Sequence, residues 1–216
     1  MTLNIKVYKD LMGANDEWAG RIKQLVASKH IRMYNLIGAP GCGKTALLES
    51  LCKKLPDTHK IVVLEGDVET TRDAERIASL GIKASQLLTG GACHLEAKLV
   101  YHALVDILDD KTEIVFVENV GNLVCPAEFD IGETAKIAVL SVTEGEDKPL
   151  KYPLLFHVAK AVVVTKCDLL PYLDFNLQLC EKYINQVHHG LPVFKVSAKN
   201  GTGLEELVSW LLQSKT

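Results

Sequence analysis

The chain has 216 residues, of which 24 are Lys or Arg and 27 are Asp or Glu, so its formal net charge is −3. A hydrophobic fraction of 48% excludes intrinsic disorder as the main state, and the slightly acidic balance disfavours nucleic-acid binding. No run of about 18 apolar residues could cross a membrane, and residues 1–16 lack the apolar core of a signal peptide. We therefore expect a cytoplasmic protein that binds neither nucleic acid nor membranes.

Short apolar runs rich in β-branched residues alternate with longer helical patterns along the chain. Most of these runs are continuously apolar, which is typical of parallel strands covered on both faces. The predicted strands are Ile31–Ile37, Ile61–Glu65, Ile114–Glu118, Ile137–Val142, Ala161–Thr165 and Val193–Val196. The predicted helices are an amphipathic N-terminal helix at about residues 15–30 and the later segments Thr45–Lys54, Arg72–Leu80, His94–Leu108, Asp174–Gln186 and Gly203–Gln213. This order predicts a single three-layer α/β domain over residues 1–216, with a mostly parallel central sheet.

A glycine-rich segment joins the first predicted strand to the next predicted helix. Residues 38–45 read GAPGCGKT, which fits the phosphate-binding pattern GxxxxGK[ST] and predicts a P-loop NTPase fold. The glycines let backbone N–H groups turn towards a phosphate, and the helix N-terminus adds the positive end of its dipole. We expect Lys44 to contact the β- and γ-phosphates and the Thr45 hydroxyl to bind Mg²⁺. The predicted nucleotide contacts here are Gly38, Pro40, Gly41, Cys42, Gly43, Lys44, Thr45 and Ala46.

Two predicted strands run into carboxylates that could hold the Mg²⁺ ion. One continues as EGD at residues 65–67, and the other ends in ENVG at residues 118–121. The second segment resembles the DxxG element of GTPases, with Glu in place of Asp. We expect Asp67 and Glu118 on the magnesium side of the nucleotide, because Mg²⁺ prefers oxygen ligands. The resemblance also implies that the amide of Gly121 senses the γ-phosphate.

Two further motifs concern the choice of base. Residues 165–168 read TKCD and resemble the NKxD element of GTPases, with Thr in place of Asn. In that element the carboxylate, here Asp168, accepts hydrogen bonds from guanine N1–H and its amino group, while the stem of the lysine, here Lys166, packs on the base. Adenine offers no such pair of donors. Ser197-Ala198-Lys199 matches the SAK element, which contacts guanine O6, so we expect GTP or GDP rather than ATP.

Cys93, His94 and Cys125 are residue types that suit Zn²⁺ or Ni²⁺. The helix predicted from His94 puts Cys93 at a helix N-terminus, where the thiol pKa is lowered. A structural zinc site needs four ligands, so three ligands predict a site that stays open or that is completed across a dimer. From these residues alone, a metal-binding role and a structural role are about equally favoured.

Several segments together resemble the hydrogenase-maturation GTPases of the HypB family, in the dimeric SIMIBI class. The resemblance rests on GAPGCGKT, EGDVETTRDAERI, TGGACHLEAKLV, VENVGNLVCPAEFDIGE, VTEGEDKP and TKCDLLP. It implies GTP hydrolysis coupled to nickel delivery to a [NiFe]-hydrogenase precursor, and we expect this hydrolysis to be slow without a partner because no arginine finger or base for the attacking water stands out in the sequence. It also implies a GTP-dependent homodimer, a shared Ni²⁺ or Zn²⁺ site at Cys93, His94 and Cys125, and a nickel-donating partner of the HypA type.

Three other functions remain open at this point. A GTPase that delivers nickel to urease shares the architecture but carries a Cys-Pro-His motif that is absent here. A P-loop small-molecule kinase would prefer ATP, and a metal carrier would use the nucleotide only to dimerise. Residues 1–30 contain no Cys and only His30, so we expect no second nickel store there. The role of Asp73 in a nucleotide-dependent switch stays open.

Overall fold

The computed structural model describes residues 2–55, 60–67 and 72–213, with backbone position alone for residues 2–12, 67 and 72–74. The strands are β1 (Arg32–Gly38), β2 (Lys60–Asp67), β3 (Lys83–Leu88), β4 (Thr112–Glu118), β5 (Ala135–Ser141), β6 (Ala161–Thr165) and β7 (Val193–Lys195). The α-helices are α1 (Thr2–Ser28), α2 (Lys44–Lys54), α3 (Arg72–Ala78), α4 (Ala97–Ile107), α5 (Cys125–Glu128), α6 (Lys148–Lys151), α7 (Pro153–Val158), α8 (Leu177–Val187) and α9 (Leu204–Gln213). A 3-10 helix covers Cys167–Tyr172.

The seven strands form one parallel sheet in the order β3-β2-β4-β1-β5-β6-β7. All carboxyl ends therefore lie at one edge, where β1 and β4 are neighbours with Leu36 opposite Glu118. From β1 the chain continues to β2 on one side, and from β4 it continues to β5 on the other. Ligands of open α/β sheets bind at such a reversal of strand order. The phosphate loop after β1 and Glu118 at the end of β4 both lie there.

Helices cover both faces of the sheet, which confirms the predicted three-layer α/β fold. Within β5, Ile137 and Val139 face the core shared with α2 and α9, while Ala138 and Leu140 face the core shared with α7 and α8. A third core packs α1 and α4 against β1, β2 and β4. Both faces of the central strands are buried, which explains why those strands are continuously apolar in sequence.

The sequence predicted every strand except β3. This strand lies at the edge of the sheet, and its residues KASQLL are mostly not buried and include no β-branched residue. An edge strand needs less apolar sequence than a central one, so the pattern that identifies the other strands is missing.

The N-terminal helix is longer than the sequence predicted. It spans Thr2–Ser28 rather than about residues 15–30. Ala19, Ile22 and Val26 recur at helical spacing, and all three are buried in the core that includes α4. The helix therefore lies against the element that follows Cys93 and His94. Among the residues that the structure describes, no helix is long and apolar enough to cross a membrane.

Candidate functional site

The phosphate loop follows β1 directly and runs into α2, as the motif requires. Gly41 and Gly43 have φ angles of 72° and 94°, in the left-handed region that glycine adopts without steric cost. The loop lines a cavity of about 510 Å³ at the carboxyl edge of the sheet. Pro40, Lys44 and Ala46 are also part of its wall. The structure thus brings most of the predicted phosphate contacts together around one space.

Lys44 and Thr45 both approach the carboxylate of Glu118. The Lys44 side chain is 6% exposed, and its Nζ donates to the carbonyl oxygens of Gly38 and Ala39 at 3.4 Å each. Nζ also lies 3.9 Å from Glu118 Oε1, to which the Thr45 hydroxyl donates at 3.1 Å. A cation, a hydroxyl and a carboxylate therefore share one wall of the cavity, as a phosphate and Mg²⁺ require.

A second buried carboxylate lines this cavity, and the sequence analysis gave it no role. This residue is Glu65 on β2, which is 2% exposed. It lies in register with Glu118 on the neighbouring strand β4. Asp67 is the last residue of β2, and Asp73 is in α3, but both side chains lie outside the described residues. The pairing of β2 with β4, which no local motif contains, brings Glu65 to this position.

Gly121 lies against the phosphate loop. A Cβ atom at this position would be 2.8 Å from Pro40 Cγ and 3.0 Å from Pro40 Cα, which is too close for any side chain. Gly121 also lines the phosphate cavity. The loop after β4 therefore touches the phosphate loop through backbone, and only glycine permits this approach.

A second cavity of about 430 Å³ adjoins the phosphate cavity, and Gly43 and Ala46 line both. Its wall contains Lys166, Asp168, Ala198 and Lys199. These are the residues that the sequence predicts to read guanine.

The base-reading segments are connected to each other and to the phosphate loop. Asp168 Oδ1 accepts a hydrogen bond of 2.6 Å from the hydroxyl of Ser197, which is fully buried. Lys166 Nζ donates to the Gly41 carbonyl at 2.7 Å, so its side chain lies along the loop. Ser197 therefore fixes the orientation of the Asp168 carboxylate in the wall of the second cavity.

Thr165, which replaces the usual Asn, links the two motifs. Its hydroxyl is 2.6 Å from the Cys42 carbonyl oxygen, to which it donates. The Cys42 side chain is 1% exposed, and burial raises the pKa of this thiol to about 11. The backbone of Cys42 is therefore held by Thr165, while its thiol packs in the core and lines neither cavity.

The three predicted metal ligands come together at the surface. Their ligand atoms all lie within 4.8 Å of one another. Cys93 Sγ is 2.8 Å from Cys125 Sγ and 3.6 Å from His94 Nδ1. The His94 ring stacks on Phe129, with 3.9 Å between the ring centroids, which fixes the plane of the imidazole. Two sulfur atoms and one imidazole form a donor set that suits Ni²⁺ or Zn²⁺.

The prediction that a helix N-terminus lowers the Cys93 pKa is wrong. Helix α4 begins at Ala97 rather than His94, so Cys93 lies outside it. The pKa of Cys93 is raised, because its thiol donates a hydrogen bond to Cys125 and because burial disfavours the thiolate. Burial lowers the pKa of His94 and so favours the neutral imidazole that binds metals.

Comparison with known proteins agrees with this geometry. A model of the nucleotide-binding domain of the CobW/HypB/UreG proteins matches residues 32–195. The hydrogenase maturation factor HypB of Azotobacter vinelandii is 44% identical over 207 residues, which are 96% of this chain and 68% of that protein. The chain belongs to the HypB family.

HypB from Helicobacter pylori is similar to this chain over most of its length, both in sequence and in structure. The hydrogenase/urease maturation factor HypB of Helicobacter pylori J99 is 36% identical, over 98% of this chain and 88% of that protein. The crystal structure of HypB from Helicobacter pylori in complex with nickel superimposes with a TM-score of 0.87, at 36% identity. It covers 94% of this chain and 95% of that one. The Helicobacter pylori structure therefore shares the fold described above.

Membership of the HypB family shows that this chain has a nucleotide-binding domain, as the sequence predicted. Sequence reasoning missed the contacts that hold the metal ligands in place. The segment before α4 is fixed by asparagine side chains from elsewhere in the chain, because Leu95 N donates to Asn119 Oδ1 and Ala97 N donates to Asn15 Oδ1. Within the part of α1 whose side chains are described, Asn15 is a polar residue on a buried face that otherwise carries Ala19, Ile22 and Val26.

Proposed function

We propose that this protein is a GTP-hydrolysing metallochaperone that couples GTP binding and hydrolysis to nickel insertion into a [NiFe]-hydrogenase precursor. One observation carries the proposal. A single loop leads from the phosphate cavity, which Gly121 lines, to the Cys93, His94 and Cys125 cluster, of which Cys125 is only four residues further on. A change at the γ-phosphate therefore has a short physical route to the metal ligands.

Nucleotide binding is assigned to the two adjoining cavities. Phosphates lie in the loop from Gly38 to Thr45, with Lys44 as their cation, while Lys166 and Asp168 read guanine with the help of the segment 197–199. The ligands proposed for Mg²⁺ are Thr45, Asp67 and Glu118. When bound, the ion neutralises charge on the β- and γ-phosphates. Of these three, Thr45 and Glu118 already lie within hydrogen-bond distance, which supports a shared ligand.

Hydrolysis is expected to be slow. The reaction depends on positioning and on stabilisation of charge, the sequence motifs include no arginine finger or base for the attacking water, and Arg76, which lines the phosphate cavity, is paired with Glu49. Lys44, Thr45, Glu118 and Gly121 supply the positioning within the described residues, and Asp67 is proposed to join them. A partner that completes the site is the expected source of faster turnover.

Nickel is the proposed cargo, held as Ni²⁺ by Cys93, His94 and Cys125, with Zn²⁺ as a competitor for the same donors. The crystal structure of the Helicobacter pylori relative with nickel supports this choice. Three ligands from one chain leave coordination positions open, so we propose that GTP brings two chains together at the cluster. A HypA-type metallochaperone is the proposed nickel donor, and the hydrogenase precursor is the proposed acceptor.

Urease is the second candidate recipient of the nickel, because the curated Helicobacter pylori relative is named a hydrogenase/urease maturation factor.

The test of the proposed nickel and nucleotide chemistry begins with titration of Ni²⁺ into the purified protein in GDP and in a non-hydrolysable GTP analogue, with oligomeric state measured in parallel. Nickel affinity and dimerisation should both depend on the nucleotide, and Cys93→Ala should abolish nickel binding. Multiple-turnover phosphate release that Lys44→Ala abolishes separates a GTPase from a carrier that only binds nucleotide.

The proposal fails at the metal site if nickel binds equally in both nucleotide states or binds equally well to Cys93→Ala. It fails at the nucleotide site if Lys44→Ala hydrolyses GTP at the wild-type rate. An ATP preference would instead favour the kinase.

A further inference from the structure

Asn119 is a buried asparagine next to the phosphate cavity that neither the motif analysis nor the proposed chemistry uses. It follows Glu118 at the end of β4 and is 1% exposed. Its Oδ1 accepts hydrogen bonds from Leu95 N at 3.2 Å and from Val120 N at 3.0 Å. Leu95 directly follows the metal ligand His94, and Val120 directly precedes Gly121. One amide oxygen thus holds the backbone of both sites.

A second asparagine makes a parallel connection on the other side of Gly121. Asn122 Nδ2 donates to the Cys93 carbonyl at 3.2 Å, and Asn122 Oδ1 accepts from Val124 N at 2.9 Å. Cys93 is a metal ligand, and Val124 directly precedes the ligand Cys125. The loop that packs on Pro40 through Gly121 is therefore tied to the backbone beside each of the three proposed ligands.

The amide nitrogen of Asn119 is hydrogen-bonded to a residue of the central sheet. Asn119 Nδ2 donates to Asn35 Oδ1 at 3.1 Å, and Asn35 Nδ2 donates to Glu133 Oε1 at 3.3 Å. Asn35 is fully buried in β1, three residues before the phosphate loop begins. In a buried network each group has few alternative partners, so a displaced Asn119 must carry its partners with it or leave them unsatisfied.

We propose that Asn119 is the positioning residue that transmits the nucleotide state to the nickel site, with Asn122 as the second connection. This inference rests on the proposed function. The metal ligands come from two chain segments, residues 93–94 and residue 125. The covalent chain joins Gly121 only to Cys125, whereas the two asparagines also join it to Cys93 and His94. A shift of Gly121 on binding the γ-phosphate therefore reaches residue 125 through the backbone and reaches residues 93–94 through these hydrogen bonds.

The consequence is that the binding of nickel and the binding of the nucleotide are coupled. If GTP and GDP give different nickel affinities, nickel must change the relative affinity for GTP and GDP by the same factor. Such factors are typically about 5–150-fold. A side chain that transmits the coupling affects this factor, whereas a side chain that only supports the fold changes nickel affinity equally in both nucleotide states.

The test measures the nickel dissociation constant in GDP and in a non-hydrolysable GTP analogue for the wild type, Asn119→Ala and Asn122→Ala. The matched control is Asn176→Ala, which also removes an asparagine Oδ1 that accepts a hydrogen bond from a backbone N–H, here that of Leu179 in α8. GDP affinity and far-ultraviolet circular dichroism report folding. If Asn119→Ala does not fold, Asn122→Ala tests the same route, since Asn122 is only partly buried.

We expect the ratio of the two nickel constants to fall towards one in Asn119→Ala and to fall partly in Asn122→Ala, while Asn176→Ala keeps the wild-type ratio. The reciprocal effect of nickel on the GTP/GDP preference should disappear in the same variants. An unchanged ratio in folded Asn119→Ala and Asn122→Ala overturns the inference and leaves the proposed function standing. A wild-type ratio of one overturns both.

Discussion

The hydroxyl of Thr45 lies 3.1 Å from Oε1 of Glu118, although the two residues are 73 positions apart in sequence. Thr45 is the second residue of the helix after the phosphate loop, and Glu118 ends the strand that neighbours β1. Neither group needs to move far to share a cation, because both oxygens already converge on one point. The arrangement predicts that Glu118 acts through its charge as well as through this hydrogen bond.

Glu118→Gln tests this prediction because the amide oxygen still accepts from Thr45 while the negative charge is lost. We expect a higher Mg²⁺ concentration for half-maximal GTP hydrolysis and a fall in kcat of about 10²-fold or more, the scale on which preorganised charge contributes. Glu206→Gln, an exposed change in α9, is the control. Wild-type magnesium dependence in Glu118→Gln would remove Glu118 from the proposed ion site.

If Asp168 recognises guanine, the variant Asp168→Asn should prefer a different nucleotide from the wild type. The Asp168 carboxylate is oriented by Ser197 and is expected to accept from the N1–H and amino groups of guanine. An Asn amide donates where the carboxylate accepts, so GTP affinity should fall by about 10–150-fold, the equivalent of losing hydrogen bonds to a charged group. Xanthosine triphosphate has an oxygen in place of the guanine amino group and should lose less affinity or gain it.

Nucleotide titrations with GTP, xanthosine triphosphate and ATP measure this change. Asp174→Asn, at an exposed position beyond the base pocket, is the control. Equal loss of affinity for all three nucleotides would indicate collapse of the pocket rather than altered recognition.

The protonation of the metal cluster predicts how nickel affinity depends on pH. The pKa of the Cys93 thiol lies above its ordinary value and that of His94 lies below its ordinary value. Across about pH 6.5–8.5, His94 is therefore neutral, whereas Cys93 must lose a proton to bind the ion. Each released proton makes the nickel dissociation constant fall about tenfold per pH unit. Affinity should thus rise with pH throughout this range.

Titration of Ni²⁺ at several pH values measures this slope. In Cys93→Ala the binding should be lost. Cys52→Ala should bind as the wild type does, because Cys52 lies outside the cluster and packs against the core. A nickel affinity that is constant from pH 5 to 8 would argue against thiolate ligands.

The sequence predicted the phosphate loop well because its contacts are contiguous and their geometry depends on local glycines. It also selected Cys93, His94 and Cys125, and the structure brings their ligand atoms together. The start of α4 could not be found in this way. The backbone N–H groups of Leu95 and Ala97 are satisfied by Asn119 and Asn15, so tertiary contacts rather than local propensity fix where the helix begins.

The acidic wall of the phosphate cavity shows a related difficulty. The sequence analysis favoured Asp67 over Glu65, and the role of Asp67 stays a prediction. Glu65 became a candidate only when the register placed it beside Glu118. That register depends on the pairing of β2 with β4, which are not consecutive in sequence, so no local pattern contains it.

Substitution of Lys136, a residue outside the proposed chemistry, should lower the stability of the fold substantially. Its Nζ donates to three carbonyl oxygens around α5, those of Pro126 at 3.2 Å and of Ala127 and Phe129 at 2.8 Å. It also lies 3.6 Å from Glu133 Oε1, and the two side chains are only 11% and 4% exposed. Lys136→Met removes the cation but keeps most of the volume. Because breaking a buried pair leaves a charge uncompensated, we expect a loss of about 3–5 kcal/mol in the free energy of unfolding.

The size of this loss should depend on pH. Burial raises the pKa of Glu133, and Lys136 opposes that rise, so Lys136→Met should raise the pKa further. A carboxyl whose pKa is higher in the folded state favours folding when protonated, and this contribution is lost as pH rises through the folded pKa. The deficit of Lys136→Met should therefore be larger at pH 7.5 than at pH 5. Urea unfolding at both values measures it, with the exposed Lys182→Met as the control.

Adding Glu133→Gln to Lys136→Met should restore part of the stability at pH 7.5, because no buried charge then remains unpaired. An equal deficit at both pH values, or no recovery in the double variant, would mean that the three carbonyl contacts rather than the charge account for the effect. Those contacts hold the short helix that begins at the ligand Cys125. In that case nickel affinity should fall in both variants alike, since the position of Cys125 would depend on the lysine alone.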